Sequence, residues 1–387
     1  MPSLEPTVTR RLVLVTLAAT AIAASARPAA ARQAAPPAIE WTSRLAAGAL
    51  PSAERPFGTL REQAAMQQAW LARRLDIFLP ALMRRHGIDL WVVPMREYNE
   101  DPVFSSITAP ETFAARRRTI YVFFDRCAAA GTAPGPSCIE RIALGGTSQG
   151  GVFDARTSTK TVNQAVGGRQ AELWGDEQWQ LLVQVVEERQ PRIIGINRSR
   201  VFAFTDGLSS GEFDGMSEAL GSRWSGRLKN AEALPLELIA SRLPEEEAFF
   251  EKMNALVWQL SETMFSERVI APGRTRTSDL VWWWRQRVND LGMGTWFQPS
   301  VNVQRQGATA GDLGDDPVIM AGDLLHSDLG ITVARLNTDT QHLAYVLKPG
   351  ETDAPAGLKR ALANANAMQD ISMAEIRPGR TGNQALA

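Results

Sequence analysis

The segment Ile88-Asp89-Leu90-Trp91-Val92-Val93 is an apolar run interrupted by one acid, and it reads as a buried strand. A helical stretch precedes it. From about Ala64 to His86, the residues Trp70, Leu71, Leu75, Phe78 and Leu79 fall close to helical period. Further apolar runs follow at Thr119–Phe124, Cys138–Leu144 and Arg192–Ile196, and Val183–Glu188 closes a helix before the last of these. Strands that alternate with helices predict an α/β layer, here over residues 40–240. Composition sets the scale. A chain of 387 residues, 44% hydrophobic and 21% charged, is that of a folded protein with two domains or slightly more. Lys plus Arg (41) nearly balances Asp plus Glu (42), so a nucleic-acid partner, which demands a basic excess, is not expected. The runs Arg84-Arg85 and Arg116-Arg117-Arg118 are short enough to be solvated faces.

The N-terminus has a different character. Arg10-Arg11 leads into an apolar stretch from Leu12 to Ala24, and small residues then offer cleavage after Ala26 or Ala31. That is the three-part pattern of an export signal. The segment Thr9–Leu14 also resembles a twin-arginine signal. The apolar stretch is short for a bilayer span. Residues 1–34 are therefore expected to be an export signal and the start of a Pro/Ala-rich linker, with the protein periplasmic or extracellular and no stable membrane span after cleavage. Cys127 and Cys138 flank a turn-rich segment. In an oxidising compartment they can close a disulfide worth about 3 kcal/mol at most; otherwise they are two free thiols. Neither reading makes them metal ligands, because no His or third Cys lies nearby in sequence.

A second organisation begins at Pro244, and residues 244–387 are taken as a second domain. Glu245-Glu246-Glu247 places acid in a first helical turn. Phe249, Met253, Leu256, Leu260 and Met264 continue at helical spacing, and the helix should end before Pro272-Gly273. Thr277 or Ser278 can cap the next helix, which runs through Trp282-Trp283-Trp284 to Gly292. Three consecutive tryptophans on a helix point in different directions, so they read as packing rather than a ligand cage. Strand-like segments follow at residues 295–303, 323–333 and 338–346.

Pro272-Gly273-Arg274-Thr275 recurs as Pro378-Gly379-Arg380-Thr381. Each copy follows an amphipathic helix; the second starts near Pro355 and carries Leu358, Leu362, Met368 and Ile371 on one stripe. Thr381 and Gln384 form a capping-box pattern that opens another helix. Only three residues follow Gln384, too few for a helix to form alone, so the repeat reads as interrupted.

The strongest chemical signal is a pair of acids. Asp328 and Asp339 lie in two adjacent strand-like segments. If these form an antiparallel hairpin pairing 328 with 339 and Gly330 with Asn337, the carboxyls share a face with Cβ atoms about 5 Å apart. Two carboxylates that close need neutralising, and a pair of divalent cations about 3.5–4 Å apart would do so and activate a water. One rival is Gly146-Thr147-Ser148-Gln149-Gly150, which fits the nucleophile elbow of a serine hydrolase and follows a strand. The residues after it make a poor helix start, so a serine hydrolase using Ser148 stays a minor alternative to a Gly-rich turn.

Here the chain resembles the pita-bread metallopeptidases: methionine aminopeptidase, aminopeptidase P, prolidase and the related creatinase. Gly322-Asp323-Leu324-Leu325-His326-Ser327-Asp328-Leu329-Gly330 matches the family pattern, with the second Asp, Asp339, eleven residues after Asp328. The resemblance covers residues 60–387 and is strongest in 244–387. It implies an α/β N-terminal creatinase-like domain followed by an incomplete α+β pita-bread catalytic domain. It makes Asp328 and Asp339 the first two ligands of two divalent metal ions, manganese favoured and cobalt or zinc next. The family completes its site with a His and two Glu that nothing in this chain matches; His326 and His342 are read as packing or supporting groups. Where relatives often carry Thr-Arg-Thr, this chain has Thr340-Gln341-His342, which puts proline preference in doubt. The implied activity is hydrolysis of a small peptide or amide by an aminopeptidase, a dipeptidase or a creatinase-like C–N hydrolase. The chain alone is expected to be inactive. The alternative is a catalytically inactive fragment or pseudoenzyme acting as a binding protein.

Overall fold

The computed structural model describes residues 55–157 and 177–387. The expected export signal lies outside the described residues. Among those described, no helix is long and apolar enough to cross a membrane. The chain divides into two compact units, Thr59–Glu247 and Ala248–Ala387, the latter with the described residues up to Gly58.

The first unit is built on a six-stranded sheet. Helix α1 (Leu60–Ile77) is opened by a reciprocal Thr59–Glu62 capping box. The single helix expected as far as His86 is two: α2 (Leu79–His86) restarts after Phe78, because Pro80 has no amide hydrogen to donate and suits a first turn. Gly87, at φ +63°, ends it. The strands are β1 (Leu90–Met95), β2 (Thr119–Asp125), β3 (Ile139–Leu144), β4 (Asp154–Arg156), β5 (Ile194–Ile196) and β6 (Leu228–Asn230), in the order β4-β3-β2-β1-β5-β6. The pairs β1–β2 and β2–β3 are antiparallel, and β1–β5, β5–β6 and β3–β4 are parallel. Helices α3 (Glu177–Arg189), α4 (Ser210–Ser225) and α5 (Ala233–Ala240) complete the unit.

Side-chain alternation sorts β1 into two cores. Trp91, Val93 and Met95 join Tyr121 and Phe123 in a cluster with Leu75 and Met83 of the first two helices and Leu234 of α5. Leu90 and Val92 join Ile120 and Val122 in a second cluster with Leu182 of α3 and Met216 of α4. Each fully buried large side chain contributes about 1.5–3 kcal/mol, so this sheet is stabilised from both faces. Asp89, the one acid in the run, accepts from the Arg192 and Ile193 amides at 2.9 and 3.1 Å and ties β1 to the start of β5.

Cys127 and Cys138 are disulfide-bonded. They lie within 4.8 Å of an Asp125 carboxylate oxygen. That cluster is not a metal site, because both sulfurs are consumed and Asp125 is paired with Arg84. The Ser148 segment is a turn followed by β4, not a helix, so the elbow geometry is missing. Its anchor is the buried Gln149, whose Nε2 donates to the Tyr121 hydroxyl at 2.7 Å and whose Oε1 accepts from the Ala109 amide at 2.8 Å.

The boundary falls within α6 (Pro244–Met264), and the second unit continues with α7 (Thr277–Asp290). Neither Thr277 nor Ser278 caps α7 as expected. Both are inside it and donate to Asp316, which accepts from the Ser278 amide at 2.9 Å and holds the helix start from 38 residues away. Trp284 is fully buried, while Trp282 is exposed with the Arg285 guanidinium over its ring. Strands β7 (Ser300–Gln304), β8 (Leu324–Leu329) and β11 (Thr340–Tyr345) form an antiparallel sheet in the order β11-β8-β7, and β9 (Thr332–Val333) pairs with β10 (Leu336–Asn337) between them.

Both copies of the repeat make the same turn, with Gly273 at φ +84° and Gly379 at φ +88°. The second follows α8 (Ala356–Glu375) and leads into α9 (Gly382–Leu386), a single helical turn that forms despite its shortness because the Thr381–Gln384 capping box is made. The apolar stripe of α8 is covered only near its start: Leu362 is buried, whereas Met368 and Ile371 are each 65% exposed.

Candidate metal centre

The acid pair sits on the hairpin formed by β8 and β11. Its register places Asp328 opposite Gln341 and His326 opposite Leu343, and the same register runs through Thr332–Asn337 and Val333–Leu336. The expected pairing of Asp328 with Asp339 is thus corrected by two residues. The cause is the turn: Ala334 and Arg335, at φ +51° and +64°, are its two central residues. Both angles are positive, as a tight type I′ hairpin turn requires, yet no Gly or Asn marks the place. A two-residue shift preserves the face, because strand side chains alternate with period two. Asp339 therefore lies diagonal to Asp328 on one face, and their carboxyls are close enough to share a hydrogen bond.

That proximity changes the chemistry of Asp328. Partial burial, then the repulsion and shared hydrogen bond of Asp339, raise its pKa above the ordinary carboxylate value, and His326 opposes the shift. Asp328 Oδ1 is buried with no hydrogen-bond partner. Asp339 is exposed, so the pair opens to solvent. His326, two residues before Asp328, shares its face, and its Nε2 lies 3.0 Å from Gln341 Oε1. Ser300 and Asn302 of β7 stand opposite Asp328 and His326 and extend this polar face.

His342 belongs to the other face. It is 2% exposed, packs edge-on against Trp258 of α6 and has Thr340 Oγ1 at 3.0 Å from Nε2. Burial pushes its pKa down to about 4, so the imidazole is neutral. It is a packing group, as the sequence implies, and does not face the carboxyls.

The rest of the Gly-Asp motif supports the strand. Asp323 is 1% exposed and receives Arg305 Nε and Nη2 at 2.7 and 2.8 Å, and the Met320 amide at 2.7 Å. This fork fixes the entry to β8. Gly330 does a different job. Its missing side chain leaves room for Thr338 O, Phe297 Cε1 and Trp296 Nε1, which would lie 2.4–2.9 Å from a Cβ there. Trp296 and Phe297 form an edge-on aromatic pair, and Trp296 Nε1 donates to Thr338 O at 2.8 Å. Neither aromatic is marked in the sequence by its own pattern; the signal for both is Gly330, a glycine just past the strand end that marks a close approach.

Two neighbouring carboxyls, one with an unpartnered buried oxygen, fit a divalent cation, which would neutralise the repulsion and fill the empty acceptor. They are not a full ligand set. Among the described residues, no third His, Cys, Asp or Glu closes a cluster with them.

No family model matches the sequence, and no curated protein matches it. Solved structures do align with the chain. An X-Pro aminopeptidase from Thermotoga maritima aligns with a TM-score of 0.50 at 15% identity, over 79% of this chain and 74% of that one. An Xaa-Pro dipeptidase from Bacillus anthracis gives 0.48 at 13% over 83% and 75%, and a dipeptidase from Mycobacterium ulcerans gives 0.48 at 15% over 82% and 74%.

Proposed function

We propose that this chain, which has the fold of the pita-bread metallopeptidases, serves a metal-dependent hydrolase of peptide or related C–N bonds, with Asp328 and Asp339 as two of its metal ligands. One observation carries the reading: two carboxyls meet on the open face of the hairpin, and Asp328 Oδ1 is buried there without a partner. The oxygen donors favour hard or borderline ions, manganese first, then cobalt or zinc. Two such ions, when bound, supply an activated water for attack on an amide carbon. The chain's own residues hold and orient. Asp328 and Asp339 present the oxygens, His326 and Gln341 brace each other beside them, and the Arg305–Asp323 fork sets the height of β8. The substrate is a small peptide or amide, cleaved as by an aminopeptidase or dipeptidase. Export to an oxidising compartment belongs to the same proposal, supported by the N-terminal signal pattern and the Cys127–Cys138 disulfide.

The absence of a third ligand among the described residues favours a second reading, a non-catalytic binding protein of the same fold. Dipeptide hydrolysis in Mn2+, Co2+ or Zn2+ separates the two. The 387-residue chain alone is expected to turn over nothing. A version supplied with the further His and Glu ligands is expected to hydrolyse dipeptides and to lose that activity in Asp328→Asn and Asp339→Asn. Turnover by the chain alone contradicts the two-ligand account. Turnover that survives both substitutions removes the assignment, and none in either form favours the binding protein.

A further inference from the structure

The strand that carries Asp328 carries another metal-binding side chain. His326 precedes Asp328 by two residues within β8, so the two side chains leave the same face, about 6.6 Å apart along the strand. The imidazole is near enough to Asp328 to oppose the rise in its pKa. Its one hydrogen bond decides which ring nitrogen is left over. Gln341 Oε1 can only accept, so His326 Nε2 carries the hydrogen and donates to it at 3.0 Å. The lone pair of the neutral ring then sits on Nδ1. Metal-binding histidines are oriented in this way, by an oxygen acceptor on the ring nitrogen that does not bind. Beside the ring, Asp328 Oδ1 is buried without a hydrogen-bond partner. The other histidines are placed differently: His342 is sealed on the covered face, and His86 Nε2 is held by Glu237 at 3.1 Å.

We propose that His326 joins Asp328 and Asp339 as a third ligand of a divalent cation, through Nδ1, with Gln341 orienting the ring from its far side. This rests on the metal-site reading and adds to it a donor and a preference. An imidazole suits zinc, whereas carboxylates alone suit manganese, so His326 should raise the affinity for zinc and leave that for manganese nearly unchanged. Among the described residues the three donor atoms are not all within 4.8 Å of one another, so the ring has to turn toward the carboxyls as the ion binds. Both partners have room to do so: His326 is half-buried, and Gln341 is an exposed, unbranched side chain that can follow it.

The test uses the whole chain, with Zn2+ and Mn2+ titrated separately by calorimetry. Wild type is expected to bind Zn2+ the more tightly. His326→Ala should weaken Zn2+ at least about tenfold, since losing even the outer partner of a ligand costs that much, and Mn2+ by less than about threefold. His326→Gln is close to imidazole in size and should behave as the alanine variant does, which separates a lost ligand from lost packing. Gln341→Ala removes the orienting acceptor and should weaken Zn2+ about tenfold. Nitrogen NMR of the imidazoles gives a direct readout: of the three histidines, only His326 should show a shifted Nδ1 signal with one equivalent of Zn2+. Zn2+ affinity unchanged in both His326 variants, a loss shared equally by the two ions, or an unmoved His326 Nδ1 signal overturns the third ligand and leaves the carboxyl site standing. Failure of wild type to bind either ion overturns both.

Discussion

The two sheets of this protein solve the same problem differently. The six-stranded sheet is covered on both faces, and its central strand β1 is buried at every position. The three-stranded sheet is covered on one. Along β8, Leu325, Ser327 and Leu329 are buried, while Leu324, His326 and Asp328 are only half-buried. The first arrangement spends every side chain on packing. The second releases alternate residues, and that is where two carboxyls can afford to meet. A charge pair of this kind placed on β1 would face only apolar neighbours and would be destabilising by several kcal/mol.

Substitution on the two sheets should expose this contrast most strongly. Trp91→Ala empties a fully buried site and is expected to cost about 3–5 kcal/mol in urea unfolding, whereas Gln341→Ala on the open face should stay within about 0.5 kcal/mol of wild type. Equal costs would dissolve the distinction between the sheets.

The covered face of the smaller sheet should show itself through pH. His342 is neutral when folded, with its pKa held near 4 by burial against an ordinary value of 6.5. Above pH 6.5 the imidazole is uncharged in both folded and unfolded chains, and its full contribution is present. As pH falls from 6.5 through about 4, the unfolded chain takes up a proton that the folded chain refuses, so stability declines, by up to roughly 3 kcal/mol. His342→Gln should flatten that part of the profile. An acid limb that is unchanged in this variant would show that the imidazole is not sealed away from water.

The Arg305–Asp323 fork comes next in size. Arg305→Ala leaves a buried carboxylate with only the Met320 amide, and a loss of about 2 kcal/mol is expected in the same unfolding assay. No measurable loss would mean that the entry to β8 does not depend on the fork. The smallest effect is expected at the acids themselves. Asp328→Asn removes the repulsion from Asp339 and should shift stability by no more than about 0.5 kcal/mol, toward greater stability in metal-free buffer. A marked loss there would make Asp328 a structural residue.

The same contrast explains what could be read from the sequence. Four strands of the six-stranded sheet announced themselves, because apolar runs such as Leu90–Val93 have few alternatives, whereas the short, largely exposed edge strands Asp154–Arg156 and Leu228–Asn230 carry no such run. The face shared by Asp328 and Asp339 was also readable, since side-chain period survives any even error in register. The register itself was not, because Ala334 and Arg335 make a positive-φ turn without glycine or asparagine. Long-range partners were equally hidden. Asp316 caps α7 from another part of the unit, and Trp296 reaches Thr338 only once the hairpin and the segment before β7 are assembled. Local chemistry such as the Thr381–Gln384 box needed no such assembly and formed as its spacing implies.

The decisive measurement is Mn2+ binding by isothermal titration of the wild-type chain, Asp328→Asn and Asp339→Asn in parallel. The account predicts that wild type binds and that each substitution alone weakens binding at least about tenfold without loss of the folded state. A wild-type chain that does not take up Mn2+, or two variants that bind as wild type does, would contradict it.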